Sequence, residues 1–326
     1  MTASLNPNAV IECVPNFSEG TSEGVVSAII ASMQVEGVSL LDWSLDRAHN
    51  RSVVTVAGSP LAILESAVRA VGEAAKRIDL TKQNGVHPRI GAADVVPFVP
   101  VSGVSLAECA VLARRAGLEI WRRYGVPVYF YEAAATRPDR VNLEDVRRGQ
   151  FEGLRESAHR DTARRPDVGG PEIHPTAGAS AVGARSFLIA YNIYLDSPLT
   201  TTQAANQVPQ AAQADLAAAR AIARTIRGSA GGLLGVKALG VSVNGRAQVS
   251  MNITDFRATP MARVYSTVQT LARNYGVVAR EAELIGLIPQ AAYEADAEWV
   301  RAIPGFEAEA KVLERRLEYP LPWPKV

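Results

Sequence analysis

One order of apolar segments occurs twice along this chain, and that repetition constrains the fold more than any other feature. Residues 10–14 read as a strand, 23–33 as a helix, 38–43 and 52–57 as two strands, 60–77 as a second helix and 94–101 as a further strand. Ser59 is placed to cap the second helix, Pro60 suits its first position, and Leu61, Leu64, Val68 and Val71 recur at helical spacing to make one apolar face. The order returns with a strand at 187–195, a helix at 215–227, strands at 236–243 and 247–255, a helix from Thr259-Pro260 to Asn274, and a last strand within 277–288. Asn244-Gly245, between two of these strands, is a favoured two-residue hairpin turn. Val14-Pro15-Asn16 and Ala190-Tyr191-Asn192 each set an Asn after an apolar strand, as a duplicated unit would. The expected fold class is α+β: two duplicated ferredoxin-like (βαββαβ) subdomains, each a sheet with helices on one face, packed together. With 48% hydrophobic residues, the 326-residue chain has material for two cores, expected at 1–184 and 185–326.

The first half carries more than the minimal unit. Ser105-Leu106-Ala107-Glu108 is a capping box opening a helix to about Tyr124, and 126–131 form another apolar strand. Residues 137–165 are charged and partly helical, and a Gly/Pro-rich run follows: Gly169-Gly170-Pro171-Glu172-Ile173-His174-Pro175-Thr176-Ala177-Gly178. Such a loop beside a domain boundary is either a functional segment or a linker. The stretch 197–213 reads as a surface excursion. No 18-residue apolar run and no basic-plus-apolar leader occurs, so a cytoplasmic protein without membrane contact is expected. A net charge of +1 and 6% aromatic residues argue against nucleic-acid binding. Cys13 and Cys109 read as small buried hydrophobes, and no metal-ligand spacing is present.

Four histidines are available for proton chemistry near neutral pH. His159 reads as a solvated helix residue. His49, before Asn50-Arg51 at a strand entrance, and His174 in the Gly/Pro run are both placed to line a site. His87 has the most suggestive setting: it follows the Asn84-Gly85 turn signal, precedes Pro88, and leads through Arg89-Ile90-Gly91 into a buried strand.

Ile11-Glu12-Cys13-Val14-Pro15-Asn16-Phe17-Ser18-Glu19-Gly20 resembles the opening signature of the glutamate formiminotransferases, which also form the N-terminal half of formiminotransferase-cyclodeaminase. The resemblance continues through Leu40-Leu41-Asp42, Asn50-Arg51-Ser52, residues 85–100, Pro127-Val128-Tyr129, Gly183-Ala184-Arg185, 187–193 and 284–289. It implies two ferredoxin-like subdomains with a folate tunnel between them, a homodimer, and transfer of a formimino group from N-formimino-L-glutamate to tetrahydrofolate in histidine catabolism. It puts the catalytic histidine at His87, in His87-Pro88-Arg89, and the folate-binding loop at Gly169 to Gly178. Animal relatives carry an aromatic where this chain has Ala177. No cyclodeaminase half follows, so the product is expected to be 5-formiminotetrahydrofolate and L-glutamate, with no metal involved.

The chemistry suits these residue types. N5 of tetrahydrofolate attacks the amidine-like carbon and loses a proton, and glutamate leaves as an amine that gains one, so a single imidazole can serve as base and then acid. A carboxylate on its other nitrogen would set the tautomer, with Asp42, Asp46 and Asp94 as candidates. Both substrates carry glutamyl carboxylates, for which Arg51, Arg89 and Arg185 offer forked donors. The rival readings are formyl transfer from N-formylglutamate and, outside enzymes, a ferredoxin-like small-molecule-binding module.

Overall fold

The computed structural model describes residues 6, 8–47, 49–83, 85, 88–197 and 208–324; His87 and residues 198–207 of the 197–213 stretch lie outside the described residues. Contacts divide the chain into two compact units, one running through Ser186 and taking back the chain from Pro320, the other Phe187–Tyr319. The architecture is α+β, with one sheet and its helices in each unit.

The first unit contains β1 (Val10–Cys13), β2 (Asn16–Phe17), β3 (Val38–Asp46), β4 (Arg51–Gly58), β5 (Ala93–Ser102), β6 (Val128–Glu132) and β7 (Ser180–Ala184). Its main helices are α1 (Glu23–Ser32), α2 (Pro60–Arg77) and α3 (Leu106–Tyr124), with the short α4 (Leu143–Val146) and α5 (Gln150–Ser157) between β6 and β7. β1 and β2 form one interrupted track, both antiparallel to β4 on one side and β5 on the other. The interruption falls at Val14-Pro15, where proline has no N–H to give a ladder. β3 borders β4, and β7 then β6 extend the sheet beyond β5 by parallel pairing. β7 is a strand that the sequence pattern does not announce.

Local chemistry explains the helices. Pro60 opens α2 after extended Ser59, although the Ser59 side chain makes no cap bond. The face α2 buries is Ile63, Leu64, Ala67, Val68 and Val71. Leu61, expected on that face, is instead 53% exposed, because it lies a little over half a turn from Ile63. α3 has both bonds of its capping box: Glu108 N donates to Ser105 Oγ (3.2 Å), and Ser105 N donates to Glu108 Oε2 (2.8 Å). A Cβ on Gly72 of α2 would overlap the ring of Tyr124, so glycine lets α2 and α3 meet. Ile11, Phe17, Val54, Val56 and Phe98 are fully buried in this unit's core, each side chain contributing about 1.5–3 kcal/mol by leaving water.

The second unit contains β8 (Ile189–Asp196), α6 (Val208–Ile226), β9 (Val236–Val243), β10 (Arg246–Ile253), α7 (Met261–Asn274) and β11 (Val278–Ile285), followed by short helices up to Glu318. Its sheet order is β11-β8-β10-β9, antiparallel throughout. β8 alternates strictly, burying Ile189, Tyr191, Ile193 and Leu195. Asn244 (φ 50°) and Gly245 (φ 79°) make the expected tight turn. α6 begins at Val208, ahead of the expected residue 215. The first unit has a matching strand order, β5, then β1 with β2, then β4, then β3, before its β7 and β6 extension. Among the described residues, no helix is long and apolar enough to cross a membrane.

Candidate active site

The strand break after β1 begins the site. Asn16 Nδ2 bonds back to Val14 O (2.8 Å), and Ser18 Oγ donates to Gly91 O (2.7 Å), tying the end of β2 to the entrance of β5. Glu19 Oε1 accepts from Thr21 N, Thr21 Oγ1 and Ser22 N, which turns the chain into α1. A Cβ on Gly20 would overlap the Asp46 carbonyl and the Arg51 amide, so only glycine allows the β3–β4 tip to close over this segment. Gly20 N donates to Asn50 Oδ1 (2.9 Å) across that contact.

The tip itself is organised by Asp46. Its Oδ1 accepts from His49 N (3.0 Å), and its Oδ2 lies 2.6 Å from His49 Nδ1, so the carboxylate fixes both the backbone and the ring. Asn50 takes a left-handed φ of 47°, and its carbonyl accepts from Gln83 Nε2 (3.1 Å), which joins the tip to the loop between α2 and β5. These segments border a small recess lined by Asn16, Phe17, Ser18, His49, Asn50, Arg51, Gln83, Arg89 and Asp94. The chain at 84–87, which includes His87, connects two lining residues, Gln83 and Arg89, through Gly85 and Pro88.

The candidate residues fare differently. Arg89 is buried, and the protein occupies its fork: Nε donates to Gln83 Oε1, Nη1 and Nη2 to Glu152 (3.2 and 3.0 Å), and Nη2 also to Gln83 O (3.1 Å). Asp94 is buried too, with Oδ1 accepting from Ile90 N (2.7 Å) and Oδ2 paired with Arg147 Nη2. Arg51 Nε is buried with no acceptor among the described residues. Burial and the neighbouring Arg147 pull the Arg51 pKa down to about 10, against the pull of Asp94 and Asp46. Asp42 stands on β3 opposite Thr55 and does not line the recess. Arg185 leaves β7 with Nη1 on Ser186 O (3.1 Å), likewise outside the lining.

The 169–178 loop has one free end and one laced end. Gly169 to Glu172 are half-buried to exposed, whereas Ile173, Ala177 and Gly178 are buried. His174 Nδ1 accepts from Ala177 N (3.0 Å) and Thr176 N (3.3 Å), and burial lowers its pKa, so it is a neutral staple of the loop. Thr176 O accepts from Leu80 N, Ala177 O from Ala92 N, and Ala179 N donates to Ile90 O, each at 2.9 Å. The loop's end is therefore stitched to the segment that carries Pro88 and Arg89. His159 is exposed, beside Arg160. Sequence reasoning passed over Asn16, Ser18, Gln83 and Arg147; for the first two the available signal was the signature segment itself. No group of three His, Cys, Asp or Glu side chains among the described residues could hold a metal ion.

Two family models match the chain: the formiminotransferase domain, N-terminal subdomain, over residues 10–185, and the formiminotransferase domain over residues 190–305. The chain is 41% identical to a glutamate formimidoyltransferase of Streptococcus pyogenes serotype M1, covering 94% of this chain and 98% of that protein. A glutamate formimidoyltransferase of Thermoplasma acidophilum is 38% identical over 95% of this chain and 98% of its own length. A formimidoyltransferase-cyclodeaminase of Dictyostelium discoideum is 37% identical over 86% of this chain, which spans about half of that longer protein (51%). With both matched domains in order and nearly the whole chain covered, the protein belongs to the formiminotransferase family.

Proposed function

We propose that this chain transfers the formimino group of N-formimino-L-glutamate to tetrahydrofolate, giving 5-formiminotetrahydrofolate and L-glutamate, as a step of histidine degradation. The end-to-end similarity to proteins named glutamate formimidoyltransferase carries the reading. The recess supports it: imidazole, guanidinium and carboxylate line one small space, next to the loop that includes position 87.

In this reading His87 takes the proton from N5 as it attacks and returns one to the departing glutamate nitrogen. Asp42, Asp46 or Asp94 orients its ring: Asp94 lines the recess, and Asp46 holds the adjacent tip through His49. Arg51 receives a substrate carboxylate, while Arg89 braces the loop through Glu152. The segment Gly169 to Gly178 holds the folate, with half-buried Gly169 and exposed Gly170 supplying backbone contacts where Ala177 is buried. The finer architecture is a pair of duplicated ferredoxin-like subdomains, supported by the matching strand order of the two sheets. The family resemblance supports a cytoplasmic homodimer.

The test is an assay of the chain with tetrahydrofolate and either N-formimino-L-glutamate or N-formyl-L-glutamate, repeated with His87→Ala. The formimino donor is expected to turn over and the variant to lose about 10²–10⁴-fold in kcat. No turnover of the formimino donor by the unaltered chain contradicts the reading.

A further inference from the structure

We infer that Arg147 joins Arg51 to form a two-guanidinium site for one glutamyl carboxylate, with Asp94 holding Arg147 in register. The inference deepens the proposed function and rests on it for the identity of the carboxylate. Arg147 follows α4, in the segment between β6 and β7. Its Nη2 pairs with Asp94, which lines the recess beside Arg51, yet its Nε is buried with no acceptor among the described residues. Arg51 Nε is in the same condition.

Buried donors in native proteins are nearly always paired, and a guanidinium donor is among the costliest to leave alone. Two other buried arginines, Arg89 and Arg140, find acceptors within the protein. Arg89 is taken up by Gln83 and Glu152, while Arg140 donates to Ala163 O and Arg165 O and pairs with Asp167. Asp94 accepts from Ile90 N and from Arg147 Nη2, and neither Nε donor is bonded to it. After burial, the proximity of Arg147 is a cause of the lowered Arg51 pKa that Asp94 and Asp46 offset only in part, so added negative charge is favoured here. A carboxylate brings that charge and has lone pairs for both Nε donors.

Both the formimino donor and the folate end in glutamyl carboxylates, so the experiment has two arms. In steady-state kinetics, Arg147→Gln and Arg147→Lys are expected to raise KM about ten- to a hundredfold for one substrate only, that substrate being the one whose carboxylate sits here. Calorimetry with L-glutamate and with folic acid reads the same loss without any turnover. It therefore separates failure of the carboxylate site from failure of the transferase reading. Arg147→Lys keeps a cation on Asp94 but removes the Nε donor, so it reports on the site if Arg147→Gln does not fold. The control is Arg148→Gln, since the Arg148 side chain is 76% exposed and pairs with Asp145; it is expected to change neither constant. A folded Arg147→Lys with both KM values and both affinities unchanged overturns the inference, as does a loss confined to melting temperature and kcat.

Discussion

The two units share one strand order and differ in their loops, and the recess lies where the first unit's loops are longer. In the second unit β9 and β10 are joined by Asn244-Gly245 alone, and α7 passes to β11 through residues 275–277. In the first unit the matching connections are residues 47–50, which carry His49, and 78–92, which carry His87 and Arg89. Asn16 lines the recess, whereas Asn192 of β8 donates to Glu283 Oε2 (3.4 Å). The sheet is thus a common frame, and the chemistry comes from two lengthened turns and from the segment between β6 and β7 that supplies Glu152 and Arg147.

The comparison breaks most visibly if the turns are made alike. Replacing residues 47–50 with Asn-Gly removes His49 and the Asn50 bonds to Gly20 and Gln83, and turnover is expected to fall at least a hundredfold, about the cost of misplacing reacting groups by 1 Å. Steady-state assay of that variant, with circular dichroism to check folding, decides it. Next in size, Gly20→Ala drives a Cβ into the Asp46–Arg51 tip, and a loss of about 1–3 kcal/mol in denaturant unfolding is expected. Ser105→Ala removes a capping box remote from the recess, so a loss of about 1 kcal/mol with unchanged KM values is expected; a kinetic effect would mean that the first unit's frame and its loops are not separable.

The smallest effect concerns His174. Burial holds its folded pKa below the ordinary value near 6.5, so the unfolded chain binds its proton first. Its contribution is present above that value and is lost as the pH falls below it, as Nδ1 must give up the Ala177 and Thr176 amides. His174→Asn is expected to flatten the stability profile below about pH 6.5 by less than one proton's slope, as urea unfolding across an acid pH series would measure.

Much of the frame was legible because local chemistry and tertiary need agree there. α2 starts at Pro60 and ends at Arg77 as read, the Ser105 box forms, and Asn244-Gly245 turns the chain. β7 was not legible, since Ser180-Ala181-Val182-Gly183-Ala184 has little strand propensity and becomes a strand by lying between β5 and β6. At the site, residue type was readable and partnership was not. Arg51 and Arg89 look equivalent in sequence, but Glu152, 63 residues away, consumes the fork of Arg89 and leaves Arg51 Nε unmatched. Arg147 sits among charged neighbours that read as a solvated face, and only its pairing with buried Asp94 sets it apart.

The central claim is that a histidine on a first-unit loop moves the protons. The pH profile of kcat for formimino transfer, measured for the unaltered chain and for His87→Ala, tests it most directly. The account predicts an ionisation limb near neutral pH that disappears in the variant along with about 10²–10⁴ of the rate. A variant that keeps both the limb and the rate would contradict it.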